Sequence, residues 1–326
     1  HNTASILKKN IEEYSSIITM EMGKSIRESR AEIEKCAWVC EYYAENGEKF
    51  LSPQFVETDA SKSFVTFQPL GVILAVMPWN FPFWQVFRFA APTLIAGNTG
   101  LLKHASNVFG CAEQIEDVFT KAGFPEGVFQ NLIVHHDTTE QIIAHDTVQA
   151  VTLTGSEGAG SAVAAIAGKY IKKTVLELGG NNDFIVGEDA DIDKAVQKAI
   201  VARMLNSGQS CIAAKRFILL EGIYDEFVSK FTKAVSELKT ANPQEEICQV
   251  GPLARKDLAD QLHRQVKDSV GQGAKLLFGG KQLGEYHEPT ILGDVSPQMP
   301  AFKEEHFGPL AEMIKEKKIE EPFNIS

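Results

Sequence analysis

Between residues 72 and 168 the chain repeats one pattern four times, a short apolar run of strand length followed by a stretch of helical length. Val72–Val76 precedes 83–96, Thr99–Lys103 precedes 108–122, 129–133 precedes 138–145, and 149–153 precedes a Gly/Ala-rich stretch over 156–168. Strands that pair in parallel need a crossover, and a helix is the usual one, so this succession predicts a parallel sheet wrapped by helices on both faces. That is a nucleotide-binding architecture, whose ligands sit beyond the carboxyl ends of the strands. Asn80, Lys103 and Gly155, each read as lying just past a strand, are expected to point at one crevice. Residues 71–97 are apolar enough to suggest a membrane span, but Pro78, Asn80, Pro82, Gln85, Arg88 and Pro92 interrupt them, which favours strand, turn and helix.

The flanks are consistent with this frame. Residues 5–50 read as two helices broken at Gly23, with Ser25 and Glu28 as a capping box for the second. Lys62–Gln68 alternates like a two-faced strand, and after Val175–Leu178 and Phe184–Val186 a second α/β alternation follows, with helix 191–206 and strand 216–220. The net charge of −11, with no long Lys/Arg block, argues against nucleic acid and for small-molecule chemistry. Five cysteines without a C-x2-C pair argue against both a disulfide framework and a zinc ribbon. No signal-like segment is read at the start, and the expected compartment is the cytoplasm. Cys36 and Cys40 read as packing residues, His135-His136-Asp137 as a surface turn and Lys315–Glu321 as a solvated charge run, so no metal is expected.

Three residues suggest catalysis. Cys211 follows Asn206-Ser207-Gly208-Gln209-Ser210, small and polar neighbours whose backbone N–H groups could approach both a thiolate and an oxyanion; a buried apolar cysteine is the plain alternative. Glu177 sits in an otherwise apolar strand, where low dielectric would raise its pKa and make it a general base, unless it is an edge-strand carboxylate facing water. Asn80, between Pro78 and Pro82, is either a turn residue or an amide donor to an oxyanion. Gly155-Ser156 opens a helix after a strand, so its N–H groups could meet a pyrophosphate, although the glycines do not match G-x-G-x-x-G.

PWNFP, LLKHAS, LTGSEGAG, LELGG, GQSC and EEHFGP, in this order, resemble the aldehyde dehydrogenase superfamily from about Asn10 to Met313. The wording around Cys211 and Arg88 is most similar to its succinate-semialdehyde dehydrogenase branch. The resemblance implies an α/β fold with a parallel-sheet dinucleotide-binding domain (1–60 and 70–178), a segment of the oligomerisation arm (61–69), a second α/β catalytic domain (179–316) and a tail or strand remnant (317–326). It implies that Cys211 attacks an aldehyde, that the Asn80 amide and the Cys211 N–H hold the oxyanion, and that Glu177 activates the water that hydrolyses the thioester. For NAD or NADP it implies Trp79, Lys103, Ser106, Gly155, Ser156, Glu305 and Phe307 as contacts, with Arg88 holding a substrate carboxylate. NAD-preferring relatives often carry a glutamate where this chain has Ser106, so NADP is expected to be tolerated or preferred.

Departures are expected to matter too. Phe89 stands where the wider family often has a lysine proposed for proton relay, so that role is not carried over. After Met313 the family continues through a sizeable remainder of the catalytic domain, whereas this chain runs KEKKIEEPFNIS. It therefore reads as a partial chain or a shortened relative, and homo-oligomer formation is expected only with that remainder. Two rival readings accompany the oxidoreductase: a cysteine esterase or thioesterase using the same site, and a nucleotide-binding scaffold without turnover.

Overall fold

The computed structural model describes residues 1–317, and the chain divides into two compact units: His1–Glu21 with Ser29–Leu178, and Met22–Glu28 with the chain from Gly179 onward. Helices α1 (Asn2–Lys9), α2 (Ile11–Met22) and α3 (Ile26–Leu51) open it. The single helix expected ahead of Gly23 is broken at Asn10, whose side-chain amide donates to the Ile6 carbonyl at 3.0 Å. The Asn10 backbone amide donates to the same carbonyl at 3.1 Å, and the helix ends because Asn10 leaves helical geometry, with φ −109° and ψ 26°. Strands β1 (Gln54–Phe55) and β2 (Phe64–Val65) then form a small antiparallel hairpin, shorter than the strand expected over 62–68.

The four repeats form as expected: β3 (Val72–Met77), α4 (Trp84–Ile95), β4 (Thr99–His104), α5 (Phe109–Lys121), β5 (Phe129–Asn131), α6 (Thr139–Ala144), β6 (Val148–Thr154) and α7 (Glu157–Lys169), followed by β7 (Lys173–Glu177). The sheet is parallel, in the order β5-β4-β3-β6-β7. On one side Phe83, Phe87, Phe119 and Phe129 form a chain of ring contacts. Leu74, Val151, Leu153, Val163 and Ala167 pack together elsewhere in the unit. The chain builds outward from β3 to β4 and β5, then returns to place β6 and β7 on the other side, so the order reverses between β3 and β6. Doubly wound sheets bind ligands at such a switch point.

The second unit contains β8 (Asn182–Val186), α8 (Ile192–Met204), β9 (Ala214–Leu220), α9 (Glu221–Ser236), α10 (Lys256–Gly271), β10 (Lys275–Phe278), β11 (Gln282–Leu283), β12 (Tyr286–His287), β13 (Thr290–Gly293), α11 (Pro300–Lys303) and β14 (Leu310–Glu316). Its main sheet has the order β10-β13-β14-β9-β8 and is parallel except for β10. Phe217 on β9 packs against Phe227 and Phe231 of α9. Lys315 and Glu316, expected in a solvated charge run, close β14 in register with Leu219 and Leu220 of β9. The rest of the tail reading, from residue 318, lies outside the described residues.

Candidate active site

In the first unit, the residues expected to meet a dinucleotide gather along the carboxyl edge of the sheet. The Pro78–Pro82 turn leaves β3 and brings in Trp79 and a buried Asn80. Two contacts hold that turn. The buried Glu32 carboxylate of α3 accepts from the Phe83 and Trp84 amides, both at 2.9 Å, and so caps α4. His104, fully buried at the end of β4, lies 3.0 Å from the Pro82 carbonyl through Nε2, while the Ala105 amide donates to Nδ1 at 2.9 Å. An Nδ1 that accepts leaves the proton on Nε2, which donates to Pro82. Burial lowers the His104 pKa to about 4, against the two carbonyls that favour its charge. Sequence reasoning passed over this histidine.

Lys103 is not past a strand as expected. It is a residue of β4, paired in register with Val76, and burial lowers its pKa. Ser106 follows in a short turn of helix before α5. Gly155 does follow β6, but its amide is spent on the Glu177 carbonyl at 3.0 Å. At the first turn of α7 the hydroxyl of the N-cap Ser156 accepts from the Ala159 amide at 3.3 Å, which leaves the Glu157 and Gly158 amides for an anion, and a Cβ on Gly158 would meet nothing within 4 Å. The switch-point ends of β3 and β6, the open first turn of α7 and the half-buried Lys103 fit a dinucleotide.

Glu177 takes the second of its two readings, an edge-strand carboxylate facing water. β7 is the edge strand of the sheet, and the Glu177 side chain is 55% exposed, so apolar neighbours in sequence did not mean an apolar enclosure. The desolvation argument for a general base is therefore withdrawn. Instead Glu177 lies 3.6 Å from the Arg88 guanidinium, which also approaches the Thr154 hydroxyl at 3.4 Å. Arg88 and Glu177 line one groove of about 420 Å³ with Gln85, Phe89 and Val175.

In the second unit the Cys211 loop is built before its side chains are considered. Asn206, Ser207 and Gly208 all have positive φ (55°, 52° and 76°), a run of left-handed residues that costs free energy unless its surroundings hold it. Glu28 accepts from the Asn206 amide at 3.0 Å, and the Ser207 hydroxyl exchanges hydrogen bonds with the backbone of Gly251. The fully buried Arg203 donates to the carbonyls of Gly208, Ala214 and Gly308. A Cβ on Gly208 would strike the Gly308 carbonyl and Arg203, so glycine is required there. Cys211 is partly exposed, and its carbonyl accepts from Asn182 at 3.0 Å. Burial pushes the Cys40 thiol up to about 12, in keeping with its reading as a packing residue.

Glu305 and Phe307 come to the same region of this unit through Lys215, which sequence reasoning missed. Its ammonium is completely buried, 2.7 Å from the Glu305 carboxylate, 3.4 Å from the Cys211 carbonyl, bonded to the Gly180 carbonyl and 5.7 Å from the centre of the Phe307 ring. Burial lowers the Lys215 pKa, opposed first by its bond to Glu305. A Cβ on Gly179 would collide with the Glu305 carboxylate. Between Glu305 and Phe307, His306 is fully buried with Nε2 2.8 Å from Glu312 Oε1, close but outside good hydrogen-bond geometry. Burial pushes the His306 pKa down and that of Glu312 up.

A doubly wound sheet whose switch point fits a dinucleotide, in a chain that also holds a partly exposed cysteine on a clamped loop, fits a dinucleotide-dependent oxidoreductase. The family model "Aldehyde dehydrogenase family" matches residues 1–326, and the chain belongs to that family. It is 52% identical over 311 residues to "Probable succinate-semialdehyde dehydrogenase [NADP(+)]" of Synechocystis sp., covering 94% of this chain and 68% of that protein. It is 46% identical over 323 residues to "Succinate semialdehyde dehydrogenase [NAD(P)+] Sad" of Escherichia coli, covering 98% and 70%. Among solved structures, succinic semialdehyde dehydrogenase from Streptococcus pyogenes in complex with NADP+ superposes with a TM-score of 0.98 at 37% identity, covering 100% of this chain and 72% of that one. The fold is the α/β aldehyde dehydrogenase fold and the activity is NAD(P)-dependent oxidation of an aldehyde to its acid. Among the described residues no helix is long and apolar enough to cross a membrane.

Proposed function

We propose that this chain oxidises succinate semialdehyde to succinate with NADP+, accepting NAD+ less well. The observation that carries the reading is the 52% identity, over nearly the whole chain, to a relative named for that substrate and cofactor. Ser106 supports it, since a serine presents no negative charge to a 2′-phosphate. So does Arg88, whose planar guanidinium suits a substrate carboxylate.

In this reading the Cys211 sulfur adds to the aldehyde carbon, and the Asn80 amide and the Cys211 N–H donate to the oxygen that becomes negative. Lys103, Ser106 and the first turn of α7 hold the adenosine side and pyrophosphate of the cofactor, Trp79 walls its pocket, and Glu305 and Phe307 take the nicotinamide end. Bound NADP+ supplies the electron acceptor. Glu177 then takes a proton from the water that cleaves the cysteine thioester, releasing the acid. Overall, aldehyde, NADP+ and water give carboxylate, NADPH and two protons. We further read the protein as cytoplasmic and, together with the remainder of the catalytic domain, as a homo-oligomer.

The test is NADPH formation followed by absorbance with succinate semialdehyde. Steady turnover is expected, lost in Cys211→Ala, with kcat/KM at least about tenfold higher for NADP+ than for NAD+, or about 1.4 kcal/mol of discrimination. Activity surviving in Cys211→Ala would end the mechanism. A preference for NAD+ would overturn the cofactor assignment, and absence of turnover would favour the scaffold reading.

A further inference from the structure

The buried ammonium of Lys215 is bonded both to the carboxylate assigned to the cofactor and to the backbone of the loop carrying the nucleophile. We propose that Lys215 is a positioning residue that holds the Glu305 carboxylate in place for the cofactor, and so sets cofactor affinity without taking part in the attack by sulfur. The proposal rests on the functional reading above, which gives Glu305 its role at the nicotinamide ribose.

Three observations point this way. The 2.7 Å bond to Glu305 joins a completely buried cation to a carboxylate that is 28% exposed, so Lys215 stands behind Glu305, which keeps an accessible side of its own. Such a bond fixes the direction of a carboxylate more firmly than solvent does. Glu305 also has its space reserved: the bare Cα of Gly179 leaves room for its carboxylate, and Gln265 donates to the Glu305 carbonyl at 3.3 Å. The Cys211 carbonyl, by contrast, is also held by Asn182 at 3.0 Å. Removing the ammonium therefore leaves the nucleophile loop anchored by Asn182, Arg203 and Ser207, while the Glu305 side chain loses the group that orients it.

A role at Cys211 itself predicts something different. A cation that stabilised the thiolate would affect every reaction of the sulfur, including cofactor-free hydrolysis of an activated ester. A cation that positions Glu305 affects only reactions that need the dinucleotide.

The experiment measures two rates in the same preparations: NADPH formation from succinate semialdehyde at varied NADP+, and hydrolysis of p-nitrophenyl acetate without cofactor. In Lys215→Met the KM for NADP+ is expected to rise about tenfold or more, with ester hydrolysis retained within about threefold. Lys215→Arg, which keeps the cation, is expected to hold KM within about threefold of the unsubstituted protein. Glu305→Gln is expected to raise KM as Lys215→Met does, and the double variant to be no worse than either, since the two residues act as one unit. Ester hydrolysis falling in parallel with oxidation, an unchanged KM in Lys215→Met, or multiplying effects in the double variant would each overturn the proposal. Should Lys215→Met fail to fold, Lys215→Arg and Glu305→Gln decide it: KM raised in Glu305→Gln alone supports it, and any other pattern overturns it. Failure of the functional reading looks different, because it shows as no NADPH formation by the unsubstituted protein, and it takes this proposal with it.

Discussion

Arg88 faces two carboxylates, that of Glu177 and the one proposed for the substrate. Its pair with Glu177 spans 3.6 Å between side chains 39% and 55% exposed, and an ion pair so hydrated is worth at most about 1 kcal/mol. A substrate carboxylate held by two parallel N–H bonds would compete well with it. Losing a hydrogen bond to a charged group costs about 1.5–3 kcal/mol, so Arg88→Ala is expected to raise KM for succinate semialdehyde by about ten- to a hundredfold. Propanal, which lacks the distal carboxylate, should change by no more than about twofold. Initial rates with both aldehydes check this, and equal effects would remove the assignment. Of the two surroundings open to Glu177 from its sequence, the edge-strand one is found, a choice the local string LEL cannot make because it does not reveal that β7 is the edge of its sheet.

At the scale of elements, His104 ties the end of β4 to the turn that carries Asn80, and burial favours its neutral form. Its pKa of about 4 lies below the ordinary 6.5, so the neutral form is favoured in the folded state. The stability it contributes is complete above pH 6.5 and is lost as pH falls toward 4. The total is about 3 kcal/mol. Urea unfolding between pH 7 and 4.5 should therefore show a loss about 2–3 kcal/mol larger in the unsubstituted protein than in His104→Gln, since the carboxylates are common to both. Parallel pH curves would show that His104 carries none of it. Neither this link nor Lys215 could be read along the sequence: His104 meets Pro82, 22 residues away, and Lys215 meets Glu305, 90 residues away. The four strand-helix repeats were legible because each advertises itself within a few residues. The break at Asn10 was not, because no glycine or proline marks it.

For the molecule as a whole, the β1–β2 hairpin is the feature that most invites a second copy. Phe55 and Phe64 are 70% and 49% exposed, with ring centres 5.8 Å apart and planes tilted by 51°, and Phe67 and Leu70 nearby are also exposed. An apolar group of this kind is better covered than hydrated. Analytical ultracentrifugation of the protein carrying the remainder of the catalytic domain is expected to find a dimer or larger species, shifted toward monomer in Phe55→Asp; a monomer there without the substitution would sink the oligomer reading. The hairpin overlaps the 61–69 segment that the resemblance reads as part of an oligomerisation arm, and it is a two-residue ladder rather than the seven-residue strand suggested by KSFVTFQ.

The left-handed run at Asn206–Gly208 bears on redesign. Because the backbone, clamped by Arg203 and Glu28, sets where the sulfur sits, diversity introduced at those positions would mostly yield chains that misplace their nucleophile. A library seeking bulkier aldehydes would do better to vary Ile212, which is 78% exposed beside the cysteine and is free of those clamps.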